Sequence, residues 1–243
     1  MPDMRRTLFM DFGTHEAAEI KALFCSNVLA RIWLAKTSLL HNRSRLEGLK
    51  NLWRYAFGSA LSLDVARAMD LVMVEPFVTR GIVNIVRSGQ FGSVCFFNSV
   101  VSSGDDVVKQ IHLARDSLGH SIYRSKPRLT GRSMDILNIN IASLVHMIIG
   151  SGRHQLWDKI IIRLNIEGAE IDVLDAILSH TNLLNSKILF MGSLGDIEKC
   201  HGANVLKKYE LLLAKFEHPF IWFTSNPNSW VVARKEVEAF IQG

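Results

Sequence analysis

The stretch from Ile160 to Leu178 constrains the fold more than any other part of the chain. Three isoleucines open it, a polar turn with a glycine follows, and apolar residues then return at intervals of three and four. The apolar run predicts a buried strand, and the later spacing predicts an amphipathic helix. A buried strand that passes through a short turn into a helix is the repeating unit of parallel α/β proteins.

The same unit recurs before and after this stretch. Apolar runs that predict further buried strands lie at 7–13, 70–76, 93–103 and 187–195. Helical spacing follows at 14–24, 78–92 and 202–216. Such an alternation predicts a parallel sheet that is covered by helices on both faces.

Four further segments have less regular patterns. Residues 105–120 fit either a helix or an irregular strand, and residues 124–133 predict a basic loop. Residues 134–150 predict a short strand and then a helix. Residues 25–69 have helical spacing and no proline, which predicts a mostly helical insertion. Because the chain has no repeat, low-complexity tract or clear linker, we predict a single domain over residues 1–243 with this insertion.

The end of the chain departs from the alternation. The apolar runs 220–224 and 230–234 flank the sequence SNPNS, and this pattern predicts a β-hairpin. The predicted fold class is therefore α/β: a Rossmann-like, mostly parallel sheet with helices on both faces and a C-terminal antiparallel hairpin.

Composition bears on partners and compartment. Hydrophobic residues make up 48% of the chain, enough for a large core, and the net charge of +5 weakly favours anionic partners. The sparse, odd set of cysteines predicts reduced thiols and a cytoplasmic protein; it consists of Cys25, Cys95 and Cys200. No segment approaches the roughly 18 apolar residues of a membrane span, so no membrane partner is expected.

Acidic residues follow three of the predicted strands. Asp11, Glu75 and Glu167 each come at the end of an apolar run. Any one of them suits a helix cap or a surface turn. Together they predict an acidic mouth, because parallel sheets bind ligands outside the carboxyl ends of their strands.

The turn after the first strand lacks a phosphate-binding motif. Gly13 permits a tight turn, but neither G-x-G-x-x-G nor G-x-x-x-x-G-K-[ST] occurs in the chain. An acid such as Glu75, at the end of the second strand, can accept hydrogen bonds from a ribose diol. The mouth therefore suits a cofactor with a ribose and a positive charge but no phosphate.

Four motifs occur in the same order as in a known family. They are DFGTHEA at 11–17, VMVEP at 72–76, NSVVS at 98–102 and RLNIEGAEIDVL at 163–174. They resemble the motifs of the FkbM family of class I S-adenosylmethionine-dependent methyltransferases, in particular E-G-A-E-x-x-V-L after a strand. The resemblance covers about residues 8–178 and implies the class I methyltransferase fold.

The resemblance also implies an activity and a site. It implies S-adenosylmethionine as the cofactor and O-methylation of a hydroxyl on a carbohydrate or secondary-metabolite acceptor. The implied cofactor-binding residues are Asp11, Phe12, Gly13, Thr14, His15, Glu75, Pro76, Asn98 and Ser99. The implied catalytic residues are Glu167, Asn165 and Glu170, with Glu170 equally suited to a structural role in the first helical turn. No spacing of histidines, cysteines and carboxylates predicts a metal site.

Two alternatives stay open. Asn165 and Ala17 stand where the family has aspartate and glycine, which suits a catalytically degenerate binding protein, since asparagine cannot act as a general base. Basic residues at 31–54 are interleaved with aromatics, and a second basic set lies at 124–132. Such patterns suit a nucleic-acid methyltransferase, a negatively charged acceptor or a solvated surface.

Overall fold

The computed structural model describes residues 6–32, 53–58, 60–115, 120–126, 128–150, 152–179, 187–223 and 227–243. Its strands are β1 Thr7–Phe12, β2 Met69–Val74, β3 Ser93–Phe97, β4 Val100–Ser102, β5 Val108–Ala114, β6 Leu129–Asn140, β7 Lys159–Leu164, β8 Ile188–Gly192 and β9 Ile221–Trp222. Its helices are α1 Ala18–Phe24, α2 Leu63–Arg67, α3 Arg80–Ser88, α4 Ile141–Ile149, α5 Glu170–Leu178, α6 Gly195–His201, α7 Ala203–Leu213 and α8 Pro227–Gln242, and a 3₁₀ turn spans Arg153–Leu156.

Six strands form one parallel sheet. Their order is β3-β2-β1-β7-β8-β9, and every neighbouring pair runs in the same direction. This is the strand order of the doubly wound α/β fold, with the chain reversing its direction of travel between β1 and β7. The predicted α/β class, with a mostly parallel Rossmann-like sheet, is confirmed.

Hydrophobic cores lie on both faces of this sheet. On one face, Leu8 and Met10 of β1 pack in a cluster with side chains of α4, α5 and α7. On the other face, Phe9 packs with side chains of α1, α3 and α8. Successive residues of a strand point to opposite faces, so burial on both explains why these strands are apolar throughout.

The predicted C-terminal hairpin is wrong. β9 pairs with β8 in parallel, and the second apolar run lies inside α8. Trp230, Val237 and Phe240 are buried at helical spacing, which extends beyond the five-residue run on which the hairpin prediction depended. Pro227 begins the helix, a position where its missing N–H costs no hydrogen bond.

The predicted strand at 93–103 is two strands. β3 belongs to the parallel sheet, whereas β4 pairs with β6 in a separate three-stranded sheet of order β4-β6-β5. Residues 105–120 contain the strand β5, which pairs antiparallel with β6. β6 begins at Leu129, so part of the predicted basic loop is a strand.

The predicted helical insertion is described only in part. Residues 28–32, residues 53–57 and α2 are helical, and residues 33–52 lie outside the described part. Arg31 is buried, and its guanidinium donates to the backbone oxygens of Cys25, Ala56 and Gly58. The Arg31 guanidinium therefore binds backbone oxygens inside the fold and is not part of a basic surface. Most of the other basic and aromatic residues of this stretch, Trp33, Lys36, Arg43, Arg45 and Lys50, lie outside the described residues.

Candidate functional site

The carboxyl ends of β1 and β7 define the crevice where a ligand is expected in this fold. The chain leaves β1 toward β2 on one side and leaves β7 toward β8 on the other, so the loops at 13–17 and 165–169 diverge. We call the space between and above these loops the switch-point crevice. Every predicted site residue lies at or beside this edge of the sheet.

Both loops of the crevice have strained backbone. Three of the four described non-glycine residues with positive φ lie here: His15 at 48°, Ala17 at 53° and Glu167 at 60°. Side chains rarely adopt this left-handed region, and such strain is concentrated at functional sites. The strain therefore marks the crevice as a candidate functional site.

Asp11 lies inside the fold rather than in the crevice. Its Oδ1 accepts a hydrogen bond of 2.5 Å from Arg163 Nη1, and both side chains are almost completely buried. Arg163 also lies 3.3 Å from Glu19 of α1. Burial alone lowers the pKa of Arg163, but the carboxylates of Asp11 and Glu19 outweigh it and keep the pKa above its usual value. This triad fastens β1, β7 and α1 together, so Asp11 acts on the crevice through the loop it supports.

Gly13 accommodates the protein's own backbone. It has a φ of 82°, and a Cβ there would collide with the carbonyl oxygen of Asn165. The Asn165 N–H in turn donates to Phe12 O at 3.0 Å. The space that the missing side chain of Gly13 leaves is therefore filled by the β7 loop, and a ligand need not fill it. Thr14 is buried, and its hydroxyl donates to Asp11 O at 3.1 Å.

Glu75 is a buried carboxylate at the end of β2. Its Oε2 accepts from the N–H of His15 at 2.9 Å, and its Oε1 accepts from the N–H of Phe77 at 3.4 Å. Burial raises the pKa of Glu75 to about 7, and these two hydrogen bonds oppose the rise. The side chain thus connects the end of β2 to the β1 loop.

Asn98 and Ser99 lie at the end of β3, beside Glu75. The Asn98 side chain is exposed, and its amide donates to Pro76 O at 2.7 Å. Ser99 is buried, and its hydroxyl has no hydrogen-bond partner. The Ser99 hydroxyl is therefore a buried and unsatisfied polar group at this edge of the sheet.

Glu170 stabilises the turn before α5. Its two carboxylate oxygens accept from the N–H groups of Ile166 at 3.0 Å and Gly168 at 2.7 Å. Burial raises its pKa to about 7 despite these hydrogen bonds. Of the two roles predicted for Glu170, these contacts favour the structural one.

Glu167 belongs to a separate ionic group on the other side of the crevice. The ammonium of Lys126 forms an ion pair with the Glu167 carboxylate and lies 3.9 Å from Asp196 Oδ2. Lys199 completes the group with a 2.7 Å contact to Asp196. Lys126 is only 8% exposed, so the carboxylate predicted to be catalytic is neutralised by a buried cation.

Lys126 is part of a segment that crosses the crevice. We call residues 120–126 the strap. The His120 ring packs against Phe77 after β2, with ring centroids 5.2 Å apart. The Ser121 hydroxyl donates to Glu167 O after β7 at 2.6 Å, and Tyr123 packs on His201 of α6. Because β1 and β7 lie between β2 and β8 in the sheet, these contacts take the strap over the switch point.

Asp196 and the ion pair of Lys126 were not predicted from the sequence. Asp196 follows the glycines that end β8 and begin α6, the same strand-end pattern that identified Asp11 and Glu167. Lys126 is recognisable only as one of several basic residues in a loop. Its burial depends on the path of the strap, which no local pattern encodes.

A groove of about 380 Å³ lies away from the predicted site, on the α4 side of β2 and β3. Its walls include Arg6, Asp70, Cys95, Met147 and Trp157, and none of the predicted site residues. Within the described ranges, no three His, Cys, Asp or Glu side chains gather as metal ligands. No helix in the described part of the chain has the length and hydrophobicity to cross a membrane.

Comparison with known proteins identifies no relative. No family model matches the chain, and neither a characterised protein nor a solved structure is significantly similar to it.

Proposed function

We propose that the protein binds S-adenosylmethionine in the switch-point crevice and methylates a hydroxyl group of a carbohydrate or secondary-metabolite acceptor. The observation that carries the proposal is the placement of Glu75. It is a buried carboxylate at the end of β2, and it is hydrogen-bonded to the strained β1 loop. The order of the motifs and the doubly wound sheet support the same reading.

Glu75 fits a ribose diol. Each carboxylate oxygen has two lone pairs, and the backbone N–H groups of His15 and Phe77 use one on each. One lone pair on each oxygen therefore stays available for two hydroxyl donors. The orphaned hydroxyl of Ser99 adds a polar group at the end of β3, where the resemblance implies the adenine.

In this proposal the protein contributes to methyl transfer mainly by aligning the donor and the acceptor. Bound S-adenosylmethionine supplies an electrophilic methyl group on a sulfonium. Holding donor and acceptor in line contributes about 7–11 kcal/mol to such reactions. In this proposal Glu167 takes the acceptor proton, which requires its carboxylate to be released from Lys126. The amide of Asn165, two residues before Glu167, cannot act as the base. We assign it the role of orienting the acceptor by hydrogen bonding.

Calorimetry with S-adenosylmethionine and with its demethylated product tests the proposal. We expect binding of both, and formation of S-adenosylhomocysteine when carbohydrate and hydroxylated acceptors are supplied. Mass spectrometry of material that co-purifies with the protein would identify the acceptor. Failure of both nucleosides to bind would remove the proposal.

A second candidate function has its own observation. The Glu167–Lys126 ion pair neutralises the only described carboxylate that the resemblance places near the transferred methyl. A binding protein that has kept the sheet and lost catalysis would show this arrangement. Cofactor binding without product across an acceptor panel would favour it, whereas detection of S-adenosylhomocysteine would exclude it.

A further inference from the structure

Ser121 of the strap exchanges two backbone hydrogen bonds with His112 of β5, and the rest of the strap is attached to the protein mainly by polar side-chain contacts. The Tyr123 hydroxyl donates to Asp172 at 3.1 Å, and the Ser125 hydroxyl donates to the Cys200 backbone oxygen at 3.3 Å. All residues of the strap are described, and none of their side chains belongs to either hydrophobic core. Segments with few buried apolar contacts open at low free-energy cost, so the strap can lift about the Ser121 bridge while the sheet stays intact.

Lys126 is the ionic attachment of the strap. Its ammonium bridges Glu167, after β7, and Asp196, in the first turn of α6. Burial lowers the pKa of Lys126, and the Asp196 carboxylate opposes this change. A cation that is tethered at two carboxylates competes with any ligand that needs them, because tethering gives it a high effective concentration.

We propose that residues 120–126 form a movable strap that closes the switch-point crevice, and that Lys126 holds it shut by occupying the carboxylates of Glu167 and Asp196. The choice of S-adenosylmethionine as the ligand for calorimetry rests on the proposed function, but the movement of the strap does not. When the strap is closed, Lys126 neutralises Glu167 and leaves its side chain only 20% exposed. When it lifts, both carboxylates become available to donor and acceptor.

Cys200 reports on the strap independently of any ligand. Its backbone oxygen accepts the Ser125 hydrogen bond, and its half-buried thiol lies 3.9 Å from Glu167 O. The parent protein for the test carries Cys25→Ser and Cys95→Ser, so that Cys200 is the only thiol. Lifting the strap uncovers the buried part of this thiol, so the rate of labelling by a small thiol reagent rises with the fraction of time for which the strap is open.

Lys126→Gln and Lys199→Gln form a matched pair of variants. Both lysines contact Asp196, but Lys199 lies on α6 and does not hold the strap. Burial raises the pKa of the Cys200 thiol, and both lysines oppose that rise. Either substitution alone would therefore slow the thiolate reaction through charge. Faster labelling in Lys126→Gln can only come from opening.

We expect Lys126→Gln to accelerate labelling about tenfold or more, and Lys199→Gln to leave the rate unchanged or lower. Equal rates in Lys126→Gln and the parent would overturn the proposal, as would equal acceleration in both variants. Tyr123→Phe removes one hydrogen bond of the strap and keeps the ion pair. We expect Tyr123→Phe to accelerate labelling of Cys200 by a smaller factor. If circular dichroism shows that Lys126→Gln is unfolded, this variant tests the proposal instead.

Calorimetry with S-adenosylmethionine links the strap to the crevice. If closure competes with binding, apparent affinity rises in proportion to the open fraction. Lys126→Gln should therefore tighten binding by the same factor by which it accelerates labelling. Faster labelling with unchanged or weaker binding would overturn closure of the ligand site. Absence of binding in every variant would overturn the proposed function, while labelling would still decide whether the strap moves.

Discussion

Arg163 and Asp11 form an ion pair between the two strands at the switch point. Their side chains lie on neighbouring strands in direct register, and the Arg163 Nη1 to Asp11 Oδ1 distance is 2.5 Å. The second Asp11 oxygen, Oδ2, is buried without a hydrogen-bond partner. The pair therefore contributes to the position of the β1 loop more clearly than to net stability, because desolvation offsets much of the attraction.

Removing one member of this pair should destabilise the protein strongly. We expect Arg163→Met to lower the free energy of unfolding by about 3–5 kcal/mol, because it leaves the Asp11 charge buried and uncompensated. The double variant Asp11→Leu/Arg163→Met should recover most of that loss. Urea unfolding measures both values.

The exposed pair of Arg67 with Asp64 is the control for this prediction. Its two side chains are 65% and 78% exposed, so Arg67→Met should cost less than about 1 kcal/mol. Equal losses for Arg67→Met and Arg163→Met would contradict the role given to burial.

Much of the sheet could be predicted from the sequence, because burial on both faces leaves a continuous apolar run in each strand. Ile160–Leu178 shows both the run and the change to helical spacing. The error at the end of the chain has a local cause. Residues 230–234 suit a strand when taken alone, and the helix is apparent only when Val237 and Phe240 are included.

The candidate site was harder to predict because its contacts join distant parts of the chain. The location of Glu75 at the edge of the crevice could be predicted, because the end of the sheet at which a strand-end residue lies depends only on the direction of the strand. The partners of Asp11 and Glu167 could not be predicted in this way. Arg163 meets Asp11 through the strand order, and Lys126 reaches Glu167 through the path of the strap. Both are properties of the folded topology.

Gly13 should tolerate no side chain. In Gly13→Ala the new Cβ would meet the Asn165 carbonyl oxygen, in addition to the strain of a φ of 82°. We expect a loss of roughly 2–4 kcal/mol, combining overpacking with the cost of the left-handed conformation.

Gly89→Ala separates these two contributions. Gly89 also has positive φ, at 60°, but a Cβ there would have no neighbour within 4 Å. This variant should lose only about 1 kcal/mol, the cost of the backbone conformation. Thermal or urea unfolding of both variants provides the comparison, and equal losses would show that the β7 loop yields to the added methyl group.

Glu170 should make stability fall as pH rises through the weakly acidic range. Its folded-state pKa is raised from 4.5 to about 7, so between these values the folded state holds a proton that the unfolded state has released. Ionisation then favours unfolding, by up to roughly 3 kcal/mol at the upper end of the window.

Unfolding measured between pH 4.5 and pH 7 tests this prediction. Glu170→Gln should remove the contribution of Glu170, so the stability of the variant relative to wild type should increase across the window. Glu198→Gln changes an exposed carboxylate on α6 and should leave the profile unaltered. A constant difference between Glu170→Gln and wild type would show that Glu170 titrates alike in both states.

Glu75→Ala should weaken binding of S-adenosylmethionine by about 1–3 kcal/mol, through loss of the hydrogen bonds assigned to the ribose diol. Because Glu75 also holds the His15 N–H, circular dichroism and urea unfolding must accompany the calorimetry. Asp64→Asn changes an exposed carboxylate on α2, away from both the proposed ribose site and the strap, and should bind within a factor of about two of wild type. Unchanged affinity in folded Glu75→Ala would refute the ribose assignment.

Glu167→Gln should lower turnover more than it lowers cofactor affinity. The substitution keeps the size of the side chain and its position beside Lys126, but removes the carboxylate that we propose takes the acceptor proton. Loss of a general base costs about 10²–10⁴-fold in turnover, whereas S-adenosylmethionine binding should change by less than about tenfold. We expect this small change to be an increase in S-adenosylmethionine affinity, because a weaker contact with Lys126 leaves the strap open for longer. Equal losses in turnover and in affinity would instead assign Glu167 to the architecture of the crevice, with Lys126 as its permanent partner.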